Sequence, residues 1–257
     1  MPAALTSSAE PAIIVDRLVK TYKTGLAVDG ISFTITRGST TALLGPNGAG
    51  KTTTIATIMG LLTPTSGRVT VLGADMPRQR HRALHRMNFE SPYVDMPMRL
   101  TIRQNLTVFG MLYGVENLPE RITRLAEEFE LQDLLDRPTG KLSSGQKTRV
   151  ALAKSLINQP EILLLDEPTA SLDPDTADWA RGRLERYQQE KQATILLASH
   201  NMAEVERLCD RVIMMKRGKI EDDDTPDRLI ARYGRTNLEE VFLDIARGRN
   251  EPREAAQ

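Results

Sequence analysis

A single cysteine, Cys209, stands in the 257 residues, so no disulfide can close within the chain. It falls in a helical stretch over 203–209 and reads as a small packed residue rather than a reactive thiol. No apolar run approaches the roughly 18 residues that a bilayer-spanning helix needs. The N-terminus lacks a positive region followed by an apolar core, so no signal peptide is expected. There is no charge excess either: 34 basic residues face 34 acidic ones. A balance of that kind argues against nucleic acid or an anionic membrane surface as the partner. These absences predict a cytoplasmic chain, long enough to bury a large core.

The core is predicted to be α/β. Strand-like runs near 12–15 and 31–35 suggest an opening antiparallel portion. Runs ending at Leu44, Asp166, Ala198 and Met215 alternate with helices, the pattern of a mostly parallel sheet covered on both faces. The stretch 86–158 differs, with helical runs at 102–113 and 119–136, and reads as an inserted helical subdomain. The core would then comprise 10–85 and 159–221, followed by two short helices within 222–246. The first nine residues and 247–257 are polar and expected to be disordered. The acidic run Glu221-Asp222-Asp223-Asp224 reads as a solvated turn. His81 and His85 have i, i+4 spacing but no supporting carboxylate or thiol, which favours a solvated helix face over a metal site.

The most informative stretch is Gly45-Pro46-Asn47-Gly48-Ala49-Gly50-Lys51-Thr52. Gly45, Gly48 and Gly50 let the backbone curl so that successive N–H groups face a phosphate. Lys51 carries charge to the β- and γ-phosphates, and the Thr52 hydroxyl is placed to ligate Mg²⁺. A strand over 40–44 precedes the loop. A helix opening at Thr53 follows it and adds its own attraction for anions. That context argues against a chance glycine-rich turn. A second motif, Glu161-Ile162-Leu163-Leu164-Leu165-Asp166-Glu167, reads as a doubly buried strand. It would place Asp166 at a carboxyl end, on the Mg²⁺ shell, with Glu167 beside it as general base for an attacking water. A third, Leu142-Ser143-Ser144-Gly145-Gln146, opens another helix and makes another anion site. One nucleotide does not need two such sites in one chain. A head-to-tail dimer, each nucleotide between the phosphate loop of one subunit and this motif of the other, accounts for both.

With these motifs in this order, the chain resembles the nucleotide-binding subunits of ATP-binding cassette (ABC) transporters over roughly residues 11–245. The resemblance implies a P-loop NTPase core, ATP and Mg²⁺ as cofactors, and a homodimer or pseudo-symmetric dimer. It also implies a polytopic transmembrane permease that holds the chain at the cytoplasmic face of a membrane. Residue by residue, it implies that Ser143, Gly145 and Gln146 contact the γ-phosphate across the dimer, and that Tyr22 stacks on adenine. Ser171-Leu172-Asp173 would link the two sites, and His200 would sense the γ-phosphate. Taken alone, Tyr22 is an ordinary surface tyrosine and a lone histidine is commonly structural; the ordered set of motifs favours the ligand roles. The stretch 237–243 is similar to the tail of exporter-type subunits paired with ABC-2-type membrane proteins. A groove beside the Glu90 loop, near Tyr93 and Arg99, is expected to receive the membrane partner. The alternatives are a soluble ABC ATPase acting as scaffold or regulator, and a nucleotide-binding module with little hydrolysis, which the retention of Asp166 and Glu167 opposes. Neither a second cassette nor a long coiled coil is present.

Two positions depart from the family pattern. Ser144 replaces a glycine, at a cost of roughly 1 kcal/mol if the position needs φ > 0; the resemblance implies that serine is tolerated there, with little effect. Glu90 stands where the family carries a glutamine that helps ligate Mg²⁺ and links the site to the membrane subunit. A carboxylate can still ligate Mg²⁺ but adds negative charge near a triphosphate. Glu90→Gln is therefore expected to change the Mg²⁺ dependence or the turnover of ATP hydrolysis. Assays with and without the membrane partner check this, and unchanged values in both would refute it.

Overall fold

The computed structural model describes residues 10–91, 96–170 and 172–248. Strand β1 (Pro11–Tyr22) pairs antiparallel with β2 (Gly25–Thr36), and β3 (Thr40–Leu44) leads to helix α1 (Lys51–Ile58). Then follow β4 (Ser66–Val71), β5 (Ala74–Met76), the one-turn α2 (His81–Leu84) and β6 (Met87–Glu90). Three helices come next: α3 (Ile102–Leu112), α4 (Leu118–Glu128) and α5 (Ser144–Ser155). Strand β7 (Ile162–Asp166), α6 (Pro174–Lys191), β8 (Thr194–Ala198), α7 (Met202–Leu208) and β9 (Arg211–Lys216) return to the sheet. Strand β10 (Lys219–Asp224), α8 (Pro226–Tyr233) and α9 (Leu238–Arg247) close the described chain.

Two sheets result. One is antiparallel, in the order β2-β1-β4-β5; the other runs β10-β9-β3-β8-β7-β6, parallel except for β10. The parallel strands are mainly apolar, with their ionisable residues at the strand ends, because both faces are covered, and their pleat sends alternate residues to opposite layers. Leu43, Ile162, Leu164, Leu196 and Ile213 pack toward the antiparallel sheet and α1. Ala42, Leu163, Leu165, Leu197 and Val212 pack toward the helices, against residues such as Phe129, Leu125 and Ile102. Phe129 also meets the edge of Trp179 on α6, ring centroids 5.7 Å apart. Arg121 on α4 is buried because it donates to the carbonyls of Leu156 and Ile157, just past the end of α5.

The α/β class, the opening antiparallel portion and the mainly parallel sheet match expectation. Four local readings do not. Strand β6 belongs to the parallel sheet, paired with β7, so the helical layer begins after Glu90 rather than at 86. The helix expected over 119–136 stops at Glu128, and Glu130 takes a left-handed φ of 55°. The acidic run is not a turn: Asp222, Asp223 and Asp224 lie on β10, paired with β9. Arginines make that possible. Arg211 grips Asp223 with two 2.5 Å hydrogen bonds, and Arg232 bridges Asp222 and Asp224. Cys209 lies one residue past α7, buried, with its pKa pushed up by desolvation. His85 Nδ1 lies 3.3 Å from the His81 carbonyl, and no group of three His, Cys, Asp or Glu able to hold a metal occurs among the described residues. Of the tail expected to be disordered from 247, Arg247 is the last residue of α9 and Gly248 its cap; 1–9 and 249–257 lie outside the described residues.

Leu164 is fully buried between the parallel sheet and the layer above it. Leu164→Ala is expected to lower the unfolding free energy by about 2–5 kcal/mol. A urea titration at unchanged m-value measures this, and a loss below about 1 kcal/mol would contradict a close-packed layer.

Candidate functional site

The parallel register brings four strand ends to one edge. Glu90 lies beside Leu165, Asp166 beside Ala198, Ala42 beside Leu197 and Leu44 beside Met214. The loop from Gly45 leaves β3 at that edge, where ligands of open α/β sheets bind. A Cβ on Gly45 would lie 2.3 Å from the Met215 carbonyl oxygen, and one on Gly50 would lie 2.6 Å from that of Ala27. Both residues have positive φ, 155° and 103°, so only glycine fits either place. No side chain caps the N-terminus of α1, which leaves its first amides available to an anion. A cavity of about 210 Å³ opens there, lined by Ala27, Asn47, Gly48, Ala49, Gly50, Lys51, Thr52 and Thr53.

Lys51 is half-buried, and its Nζ donates to the Gly45 carbonyl at 2.5 Å and, more weakly, to that of Pro46 at 3.4 Å. Desolvation lowers its pKa, opposed by the charges of Glu167 and Asp166. Asp166 shows the converse: burial raises its pKa, Glu167 raises it further and Lys51 opposes both. Glu167 adopts φ 57°, a left-handed conformation that costs a non-glycine residue roughly 1–2 kcal/mol. Its N–H donates to the Ala198 carbonyl at 2.8 Å, which holds that conformation. Its Oε2 lies 2.6 Å from His200 Nδ1. The Glu167 side chain is 15% exposed and the His200 ring 73%, so a sheltered carboxylate holds an imidazole open to solvent.

Beneath this pair lies a residue the sequence did not single out. Glu204 on α7 is 1% exposed and accepts from Thr169 Oγ1 at 2.9 Å and Ser199 Oγ at 2.7 Å. It thereby ties the loop after Glu167 to the loop before His200. Burial raises its pKa; the two hydroxyls lower it. Nothing local distinguishes it from Glu206, two residues on and exposed. Only the packing of α7 beneath the two loops does.

Ser143 caps α5. Its Oγ accepts from Gln146 N at 3.2 Å, and the Gln146 side chain accepts from Ser143 N at 3.0 Å, a reciprocal capping box. Ser144 is the first helical residue and is absent from the positive-φ positions, so serine carries no left-handed cost there. A Cβ on Gly145 would come 3.2 Å from Thr176 Oγ1, and Thr176 is bound twice by Asp173, the cap of α6. Tyr22 is exposed at the end of β1, with the Lys20 ammonium 5.2 Å from its ring centroid. None of Tyr22, Ser143, Gly145, Gln146 or Asp173 lines the cavity at the phosphate loop. Ser171 and Tyr93 lie outside the described residues. Arg99 is exposed and does not line the apolar groove of about 280 Å³ that opens beside β6, between Met59, Leu61, Leu84, Met87, Phe89 and Tyr113.

Glu90 ends β6 with its side chain 6% exposed, and its Oε2 lies 2.5 Å from Nζ of Lys154, itself 7% exposed, on α5. Burial pushes the Glu90 pKa up, and Lys154 pulls it back. Sequence reasoning missed Lys154 because it lies 64 positions away, on a helix that only the fold packs against β6. As donors for Mg²⁺, the Thr52 hydroxyl and the Asp166 and Glu90 carboxylates are hard oxygens of the right kind. They are too few for an all-protein cage. They suit an ion held by one or two carboxylates together with substrate phosphates, and the raised pKa of Asp166 marks a carboxylate that a cation would relieve.

Fold and site define a phosphate-loop nucleotide-binding protein. The family model "ABC transporter" matches residues 28–170. The chain is 36% identical over 236 residues to "Nod factor export ATP-binding protein I" of Ralstonia nicotianae, covering 91% of this chain and 73% of that one. Among solved structures it is similar to the ATP-binding subunit of an ABC transporter, with TM-score 0.83, 26% identity and coverage of 91% and 99%. It is also similar to cbiO1 from Clostridium perfringens, part of the ABC transporter complex cbiONQ, with TM-score 0.76, 29% identity and coverage of 92% and 96%. The chain belongs to the ABC transporter family, among its ATP-binding subunits.

Glu204→Ala is expected to cut kcat about tenfold or more by freeing both loops, whereas Glu204→Gln, able to bond both hydroxyls, should stay within about threefold. Because the folded chain holds the Glu204 proton more tightly than the unfolded chain, its contribution to stability is full at low pH. That contribution is lost as pH rises through the raised folded pKa, so wild type should lose stability relative to Glu204→Gln over that range. Denaturant titrations at several pH values measure it; a constant difference would refute the assignment.

Proposed function

We propose that this chain hydrolyses ATP to drive export through a separate transmembrane subunit, working as a dimer at the cytoplasmic face of the membrane. The observation that carries the reading is the Glu167–His200 contact of 2.6 Å at the sheet edge that also bears Lys51 and Asp166. The amides of residues 47–53 cradle the phosphates, and Lys51 exchanges the Gly45 and Pro46 carbonyls for phosphate oxygens. Thr52, Asp166 and Glu90 would hold Mg²⁺, which would supply charge neutralisation at the nucleotide phosphates. Glu167 orients the attacking water and accepts its proton. The contact of His200 Nδ1 with that carboxylate keeps the exposed ring aligned toward the γ-phosphate, to which Nε2–H can donate.

Ser143, Gly145 and Gln146 act on the nucleotide of the other subunit, consistent with their standing outside the cavity of their own chain. Asp173 lies at that interface, and Tyr22 packs on adenine. The apolar groove beside β6, with exposed Leu61, Met111 and Leu112 nearby, suits a helix of the membrane subunit. Relatives named for Nod factor export support the exporter direction; the membrane subunit would set the substrate.

Glu167→Gln should bind ATP yet release phosphate at least about 100-fold more slowly than wild type. Nucleotide binding and phosphate release measure the two, and turnover within about threefold of wild type would overturn the assignment. Purification from detergent-solubilised cells should yield a polytopic membrane protein with the chain. Soluble partners alone would favour a scaffold role.

A further inference from the structure

We propose that Lys154 is the positioning residue for the Glu90 carboxylate, and that the Glu90–Lys154 pair is the joint between the nucleotide edge of the sheet and the helical layer. The inference rests on the ATPase reading above. Three observations carry it. First, both side chains are withdrawn from water, at 6% and 7% exposure, and their charged atoms are 2.5 Å apart. A buried carboxylate without a partner is strongly disfavoured, so Glu90 can stand where a neutral glutamine would otherwise serve only because a cation has been brought to it.

Second, the two residues belong to different layers. Glu90 is the last residue of β6, next to Leu165 and so one position from Asp166 across the strand pair. Lys154 lies near the end of α5, the helix that Ser143 caps. Third, the Lys154 ammonium also stands 5.4 Å from the ring centroid of Phe109 on α3, whose next turn exposes Met111 and Leu112. One cation therefore meets the strand end at the nucleotide, the helix that Ser143 caps, and the helix beside the apolar groove. A shift of Glu90 toward or away from the metal shell must move Lys154 or break the pair. The first carries α5 and α3 with it against the sheet; the second leaves two buried charges unpaired.

The pair acts as a unit, which makes it testable by a double-mutant cycle on the full chain with Mg²⁺ and ATP. Lys154→Met should lower kcat about tenfold or more and raise the Mg²⁺ concentration for half-maximal rate, with a smaller effect on KM for ATP. Lys154→Arg, which keeps the charge, should recover to within about threefold. In the Glu90→Gln background, Lys154→Met should cost less than about twofold, because a neutral amide does not require the cation. Equal losses in both backgrounds would overturn the proposal. So would a lowered melting temperature with kcat per folded chain and Mg²⁺ dependence unchanged, the mark of a merely structural contact. If Lys154→Met does not fold, Glu90→Gln compared with Glu90→Gln/Lys154→Met decides, since both lack the buried carboxylate. A double variant about tenfold or more below the single one overturns the joint. A wild-type chain that binds but does not hydrolyse ATP would fail the ATPase reading instead. The same cycle read in Mg²⁺-dependent ATP affinity then decides the joint by itself.

Discussion

The parallel sheet is buried on both faces, and that constraint governs where every charge of the site can stand. With apolar side chains filling β3, β7, β8 and β9, ionisable groups can enter only where the strands end. The register then sets those ends side by side. Glu90, Asp166, the residues after Ala198 and the loop after Leu44 emerge along one edge without any sequence proximity among them. The edge is only partly open to water, so its charges answer to one another. Lys51 is pulled down by burial and supported by Asp166 and Glu167; Asp166 is pushed up by burial and by its neighbour. A site in this state favours a ligand that brings both phosphate charge and a divalent cation.

Around that edge the chain places buried polar groups that tie separate loops together. Glu204 joins Thr169 to Ser199, and Lys154 joins β6 to α5. Each is expensive to leave unpaired in a dry environment, so each limits how the loops it connects can move. Glu167 pays a backbone cost as well, held left-handed by its bond to Ala198 while its side chain reaches His200. Such strain lasts only where the surroundings over-determine it, and here the neighbouring strand does so.

The differences between sequence expectation and structure have separate physical causes, each set by contacts or backbone conformation that the local sequence does not state. The acidic run after Ile220 looked solvated because four carboxylates in a row repel. It is a strand because Arg211 and Arg232, from β9 and α8, neutralise three of them. The four residues of β6 carry too little pattern to declare a strand, and only pairing with β7 makes them one. Ser144, whose cost depends on a backbone conformation that the sequence does not state, is the first residue of α5 and an ordinary helical position.

By itself the sequence determined the class of the fold and the chemistry of the edge. Those signals are local: a glycine loop between strand and helix, an apolar strand ending in two carboxylates, and a Ser-x-x-Gln box opening a helix. Each is written in contiguous residues, because backbone conformation and strand burial depend on near neighbours. Only the tertiary structure decided which charges meet. That Glu167 holds His200, that Glu204 spans two loops, and that Lys154 answers Glu90 across 64 positions are facts of packing. A buried charge is stabilised by whatever the fold brings within a few ångströms, and no local pattern in the chain records that choice.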